Sequence, residues 1–383
     1  MKTTTFLLLL ASFLTLSVTG QTVSTFSDGS PDDGIDIDSN GNLYVSDIYG
    51  GKIFKYTPSG VMSEFASGLN YPNGLAIDSQ GRIYSCQIGG TTIQRFLQDG
   101  TLDQTFDVGV YPSGIIKAFD NDDMIFTGYY NGSMHRLSIT DGTVTTISNA
   151  SELFGPVGLA YDGNGELYVG NYGSYSDPDA AGNRAIYRVL TDGSLEYVAT
   201  VGSTGNLGFI AYAQGMLWGT VLHEDKIYRI NPNGINDVTL FAGSDRGTDD
   251  GDISTATFTA PNGIAFNDTG DVMYISESSG SNNLRVISGI SLSIEEFQGN
   301  DIKLITPPNQ SKIILKAKIR NANNFELTIR QLFGQTVLRE TVDATGNGSI
   351  VKNISTEAWD NGIYFMTIQA GENITTKRFI VNN

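Results

Sequence analysis

The chain has 383 residues, with 41 Asp and Glu against 23 Lys and Arg, a formal charge of −18 at pH 7, and one cysteine. Such an acidic balance repels a phosphate backbone and an anionic bilayer, which argues against nucleic acid and anionic membrane as partners. A single cysteine excludes an internal disulfide, so stability must come from packing.

Residues 1–20 read as a secretory signal peptide: Lys2, an apolar run over 6–16, and small residues ending at Val18-Thr19-Gly20. The apolar run is too short and too soon interrupted for a membrane span, and no later stretch is long and apolar enough to cross a bilayer. Residues 21–291 carry 12 basic against 32 acidic side chains, and residues 292–383 carry 10 against 9, which marks two domains with different surfaces.

Within 21–291 one pattern occurs six times. A glycine opens an apolar strand, a turn (usually with Gly) follows, a second strand, usually Tyr-bearing, runs back, and a third strand carries a basic or polar residue. The anchoring glycines are Gly34, Gly74, Gly114, Gly158, Gly208 and Gly263, offset by 40, 40, 44, 50 and 55 residues. A period of this size with several strands per unit predicts a β-propeller. A fourth strand is expected at 61–65, 102–106, 143–147, 195–198 and 238–241, and the last copy has none. Val23-Ser24-Thr25-Phe26 has the missing strand's pattern, so six four-stranded blades closed by the N-terminal strand are expected. Beyond residue 287 the repeat stops, and alternating strands at 313–317, 325–329, 336–339 and 363–368 predict a small C-terminal β-sandwich. The fold class is therefore all-β.

Propellers place ligands at the mouth of the central channel. The position before each anchoring glycine holds Asp33, Asn73, Ser113, Val157, Leu207 and Asn262, so one arc of the ring offers oxygen atoms and the other is apolar. Carboxylate and amide oxygens suit a hard divalent cation, Ca²⁺ or Mg²⁺. Asp47, Gln87, Asn171 and Glu277 end the second strands, where they either line the mouth or cap loop backbone. His223 and Glu224 offer a general base near the channel or belong to a solvated loop. The insertion 172–184, rich in Gly, Ser, Asp and Tyr, either lids the channel, with Tyr172 and Tyr175 suited to sugar stacking, or is a flexible decoration. Cys86 reads as a small buried hydrophobe, and the acidic run Asp36-Ile37-Asp38-Ser39-Asn40-Gly41 as a hairpin turn and not a calcium loop.

Two resemblances add to this reading. Leu332-Phe333-Gly334-Gln335 with Val337, then Trp359-Asp360-Asn361-Gly362-Ile363-Tyr364 and Lys377-Arg378-Phe379-Ile380-Val381, resemble the C-terminal sorting domain of the type IX secretion system of Bacteroidetes-type bacteria. This resemblance covers about 292–383. It implies export through the periplasm, with the type IX machinery as partner and release or surface attachment as the outcome. Asp250-Gly251, Ala256, Phe258, Pro261-Asn262-Gly263, Tyr274, Glu277 and Asn283-Leu284-Arg285 look like an NHL repeat. The Pro-Asn-Gly starts at Asn73 and Asn262 also resemble the senescence marker protein/gluconolactonase family, six-bladed propellers that hold a divalent cation and hydrolyse lactones. That resemblance implies Asp33, Asn73 and Asn262 as metal ligands and Asp33 as general base. Two functions follow: binding of a small molecule, glycan or peptide at the channel mouth, or metal-dependent lactone hydrolysis with Asp33, and more remotely His223 or Glu224, as the catalytic group.

Overall fold

The protein is described here from a computed structural model. The described residues are 20–29, 32–174, 176–177, 180, 182–278, 283–290, 301–305, 312–318, 324–331, 335–343, 349–370 and 373–381. Almost all of the expected signal segment, together with Tyr175 and the Leu332-Phe333-Gly334 triplet, lies outside them. The chain forms two compact units, Met1–Ser291 and Leu292–Asn383.

The first unit is all-β and propeller-like. Among its described residues there are six antiparallel sheets, named here sheets one to six in chain order. Their first strands are Ile35–Ile37, Pro72–Ile77, Pro112–Lys117, Pro156–Tyr161, Leu207–Ala213 and Pro261–Phe266. Each first strand touches that of the next sheet, and the sixth touches the first. Sheets one to five each contain four strands consecutive in sequence, as short apolar runs bounded by turn formers should pair. The hairpins are set by the turn residues themselves. Asp38 Oδ1 accepts the amides of Asn40 and Asn42, both at 2.9 Å, and Asp78 Oδ1 accepts those of Gln80 and Arg82 at the same distance. Gly41 and Gly81 supply the left-handed residue, at φ 77° and 73°. The acidic run at 36–41 is thus hairpin, with Asp38 committed to its own turn.

Sheet six lacks a consecutive fourth strand, and Thr22–Ser27 takes that place. It pairs with Leu284–Ser288, with Val23 opposite Ile287 and Thr25 opposite Arg285. Val23 is buried, and Phe26 sets its ring edge-on to Tyr56 of sheet one and Tyr274 of sheet six, at 6.3 and 5.3 Å. The core is distributed between sheets. Tyr44 and Ile53 of sheet one pack with Leu75, Ile83 and Phe96 of sheet two. The arrangement repeats round the ring until Ile35, Leu43 and Val45 of sheet one pack with Ala265 and Leu284 of sheet six.

In the second unit, the three-stranded sheet of Asp301–Ile305, Lys312–Lys318 and Ser349–Ser355 accompanies a four-stranded one. The latter has Asn324–Gln331 and Gly362–Ala370 at its centre, Thr336–Asp343 and Asn373–Val381 at its edges. Ile313, Leu315 and Ile354 of the first sheet share one core with Leu327, Ile329, Tyr364 and Met366 of the second. Trp359 and Phe379 stack against Tyr364 from 5.2 and 5.7 Å.

Candidate functional site: a tyrosine-rimmed mouth over buried acids

The inner strands run so close together that most have no room for a side chain at the anchoring position. A Cβ on Gly114 would lie 1.7 Å from Val157 O, and one on Gly263 2.1 Å from Asp33 O. Side chains one residue earlier are thereby carried to one end of the channel. Asp33, Asn73, Ser113, Val157 and Asn262 line a cavity of about 650 Å³ there.

The fifth copy departs from the expected alignment. Leu222 N donates to Asn206 O as Ile88 N does to Tyr71 O and Ser278 N to Ala260 O. Leu207 pairs with Val221 as Pro72 pairs with Gln87. In this register Gly208, not Leu207, occupies the mouth position, and Phe209 stands where the other copies have glycine. Leu207 is fully buried in the core shared with sheet four. The two alignments differ by one residue, which in a strand exchanges the two faces. Half-buried Phe209 lines this cavity and also a second one of about 450 Å³, whose walls include Ile35, Leu75, Ile115, Leu159, Ile210 and Ile264.

The polar arc is one hydrogen-bonded chain. Asn73 Nδ2 donates to Asp33 Oδ2 and Asn262 Nδ2 to Asp33 Oδ1, each at 3.1 Å, and Ser113 Oγ donates to Asn73 Oδ1 at 2.9 Å. The structure therefore brings Asp33, Asn73 and Asn262 together. Burial, then the adjacent Asp32, push the Asp33 carboxyl well above the usual carboxylate range, against the pull of its two amide donors. Asp32 lines the same cavity, only 3 % exposed, and burial lifts it to about 6 while the amide of Ile48 holds it down.

A second tier surrounds this floor. The residues just after the second strands, Ile48, Ile88, Tyr129, Tyr172, Leu222 and Ser278, all line the cavity. The last residues of those strands do not, and serve the loops instead. Gln87 Oε1 accepts Asn70 N at 2.8 Å, Asn171 Oδ1 accepts Phe154 N at 3.2 Å, and Glu277 Oε1 accepts Thr259 N at 2.8 Å. Asp47 Oδ1 caps Gly50 N at 2.7 Å. Of the two roles open to these four positions, backbone capping is the one found, and the mouth positions lie one residue further on. Tyr49, Tyr71 and Tyr130 complete the rim. Tyr71 meets Tyr49 edge-on at 6.3 Å, and Tyr129 meets Tyr130 at 5.0 Å and Tyr172 at 6.1 Å. The left-handed backbone of Tyr71, φ 55°, recurs at Gly155 and Ala260 before the same proline, so it belongs to the turn that enters the inner strand.

Among the other candidates, His223 and Glu224 fall in a single 3₁₀ turn, Leu222–Glu224, of which only Leu222 lines the cavity. Glu224 accepts the amides of Ser203 and Thr204 and the hydroxyls of Ser203 and Tyr228. Burial opposes ionisation of Glu224, but these donors outweigh it and hold the carboxyl down at about 2. Such a group is a structural anion and a poor base. His135 stacks on Phe126 at 5.2 Å and meets Ser133 Oγ at 2.7 Å, and Cys86 is buried with its thiol pushed well up by desolvation. Of the insertion 172–184, Tyr172 reaches the cavity.

Residues 307–382 match the family model described as a secretion system C-terminal sorting domain. The sorting domain, of the type IX system, indicates export and a surface or secreted location. No helix among the described residues is long and apolar enough to cross a membrane. Comparison with curated proteins gives no match. Among solved structures, the chain is similar to a gluconolactonase from Xanthomonas campestris, at 18 % identity and TM-score 0.52 over 70 % of this chain and 89 % of that one. It is also similar to an auxiliary nutrient binding protein from Bacteroides thetaiotaomicron, at 14 % identity and TM-score 0.55 over 70 % and 76 %. A virginiamycin B lyase from Staphylococcus aureus aligns at 22 % identity and TM-score 0.50 over 68 % and 82 %. At these identities the likeness concerns the fold, on which unrelated functions are built.

Proposed function

We propose that this chain, exported by way of its sorting domain, is a six-bladed β-propeller over 21–291 with a small β-sandwich over 292–383. The first domain binds a small molecule, glycan or peptide at its channel mouth, and residues 1–20 are removed on export. The observation that carries the binding reading is the cavity itself: a buried polar floor of Asp32, Asp33, Asn73, Ser113 and Asn262 under a rim of tyrosines. Apolar walls with a few convergent polar groups are what ligand sites are built from. Saturation-transfer NMR on the whole exported chain with sugars, short peptides and amines tests it. Signals from a ligand that disappear in Asn73→Ala and Asn262→Ala support the mouth as the site, and binding untouched by both variants moves it elsewhere. The type IX machinery is the partner of the second domain, and removal of residues 336–383 is expected to hold the protein in the periplasm.

A second reading, a metal-dependent lactone hydrolase, rests on Asp33 lying between two amide side chains. A divalent cation, Ca²⁺ or Mg²⁺, would be held by Asp33, Asn73 and Asn262, whose oxygen donors suit either ion, and would supply an activated water for hydrolysis. Asp33 is the residue of this set able to accept a proton, because Asn73 and Asn262 are amides; Glu224 is held by Ser203, Thr204 and Tyr228, and His223 is not among the residues that line the cavity. Both amides now offer nitrogen to Asp33, which favours the binding reading. Metal content of the purified protein, and turnover of simple lactones with and without chelator, test it. A tightly held ion and chelator-sensitive turnover would establish the enzyme.

A further inference from the structure

The lining of the mouth has a chemical bias that narrows the guest. Among the described residues that line it there is no Lys, Arg or His, while two carboxyls, Asp32 and Asp33, sit on its floor. A carboxylate, a phosphate or a sugar acid would enter a site of its own sign with nothing to pair it. Asp32 sharpens the point. Its residue is 3 % exposed, and among the described residues the side-chain hydrogen bond that reaches its carboxyl from another residue is the one Oδ1 accepts from Ile48 N at 3.1 Å. A carboxylate that lines a cavity wall with a single backbone donor is stabilised further by a donor or a positive charge from outside. Asp33 differs, since both its oxygens are held by Asn73 and Asn262.

Above this floor the walls are aromatic. Tyr49, Tyr71, Tyr129, Tyr130, Tyr172 and Phe209 all line the cavity. Tyr130 and Tyr71 are 71 % and 49 % exposed, so their rings remain open to a guest. Ring faces attract a cation through their quadrupole, and more strongly once it is desolvated. A neutral sugar would also stack on these rings, but it would leave the charge of the floor uncompensated.

Resting on the binding reading given above, we propose that the mouth takes a cationic organic guest, an ammonium or quaternary ammonium group seated over Asp32 and enclosed by the tyrosine rim. The guest's charge pairs with the Asp32 carboxylate, and its carbon substituents lie against the rings.

Calorimetric titration of the unaltered protein at neutral pH with choline, with its uncharged carbon isostere 3,3-dimethyl-1-butanol, with glucose, with gluconate and with calcium chloride tests this. Choline is expected to bind at least about tenfold more tightly than the isostere, the size of a desolvated cation–aromatic contact together with a charge pair. Asp32→Asn and Tyr130→Leu are each expected to weaken choline without lowering the melting temperature. Equal affinity for choline and its isostere overturns the proposal. So does binding of glucose, gluconate or calcium without choline, although each of these leaves the mouth standing as a site if Asn73→Ala removes it. No binding by any probe, and no change in the NMR signals of the rim tyrosines, overturns the cationic guest and the mouth together. The comparison of choline with its isostere needs no variant, so the test survives if Asp32→Asn fails to fold.

Discussion

The two arcs of the channel mouth share one backbone and differ in what they present. Sheets six, one, two and three place Asn262, Asp33, Asn73 and Ser113 in an unbroken hydrogen-bonded run. Sheets four and five place Val157 and Gly208 at the same positions, with Phe209 filling the space. The fold thus decides where a side chain at this position points, and the individual residue decides whether chemistry happens there. A pocket that is polar on one side and apolar on the other also gives a guest a preferred orientation.

The largest expected effect concerns the sheet where the polar arc meets the closure. Arg285 and Glu277, both fully buried, pair at 3.1 Å, and Arg285 also reaches Thr257 O at 2.9 Å and Asp250 at 2.8 Å while lying over Phe258. Glu277→Ala leaves a buried guanidinium without its buried partner and removes the acceptor of Thr259 N, so a loss of about 3–5 kcal/mol in chemical denaturation is expected. Deletion of residues 21–29, which removes the closing strand, is expected to lower the melting temperature by a comparable margin. An unchanged melt would remove the closure of sheet six by the N-terminal strand.

Next comes Phe209→Ala, which tests the apolar arc. Loss of a half-buried ring is expected to cost about 2 kcal/mol, below the range for a fully buried Phe. It should join the two cavities that Phe209 now lines, and xenon binding followed by NMR would register the joined space. If the cost is near zero, the apolar arc is filler and orients nothing.

The smallest effect separates the arcs by pH. Burial, partly offset by the amides of Ile37 and Ile77, raises half-buried Asp36 to about 7, and burial raises Asp32 to about 6, from an ordinary value near 3.8. Between the ordinary and the raised values the folded protein binds more protons than the unfolded chain, so stability falls as pH rises through that window. The melting temperature is therefore expected to be higher near pH 5 than near pH 8. Asp36→Asn should flatten part of this slope by raising the melt at pH 8 and leaving it nearly unchanged at pH 5. A slope of opposite sign would show that these carboxyls are compensated in solution by something the residues described do not include.

Much of this was written in the sequence. Glycine spacing, Asp-Gly turns and alternating strands determine the repeated sheets and the need for a strand from elsewhere to complete the last one, because each of these signals is local. The polar arc was also legible, since residues a repeat apart occupy the same place on consecutive sheets, and the sorting domain was carried by short motifs near the C-terminus. Tertiary structure alone decided the fifth register, in which Leu207 is core and Phe209 is channel, because a slip of one residue preserves the apolar pattern while exchanging the faces of a strand. It also decided that the outer tier is Ile48, Ile88, Tyr129 and Tyr172 and not their polar neighbours, since a side chain's direction at a strand end is set by the loop that it caps. Finally, it decided that Glu224 is a structural anion and that Asp32 lines the cavity beside Asp33, because the groups around each come from segments that no sequence spacing links to it.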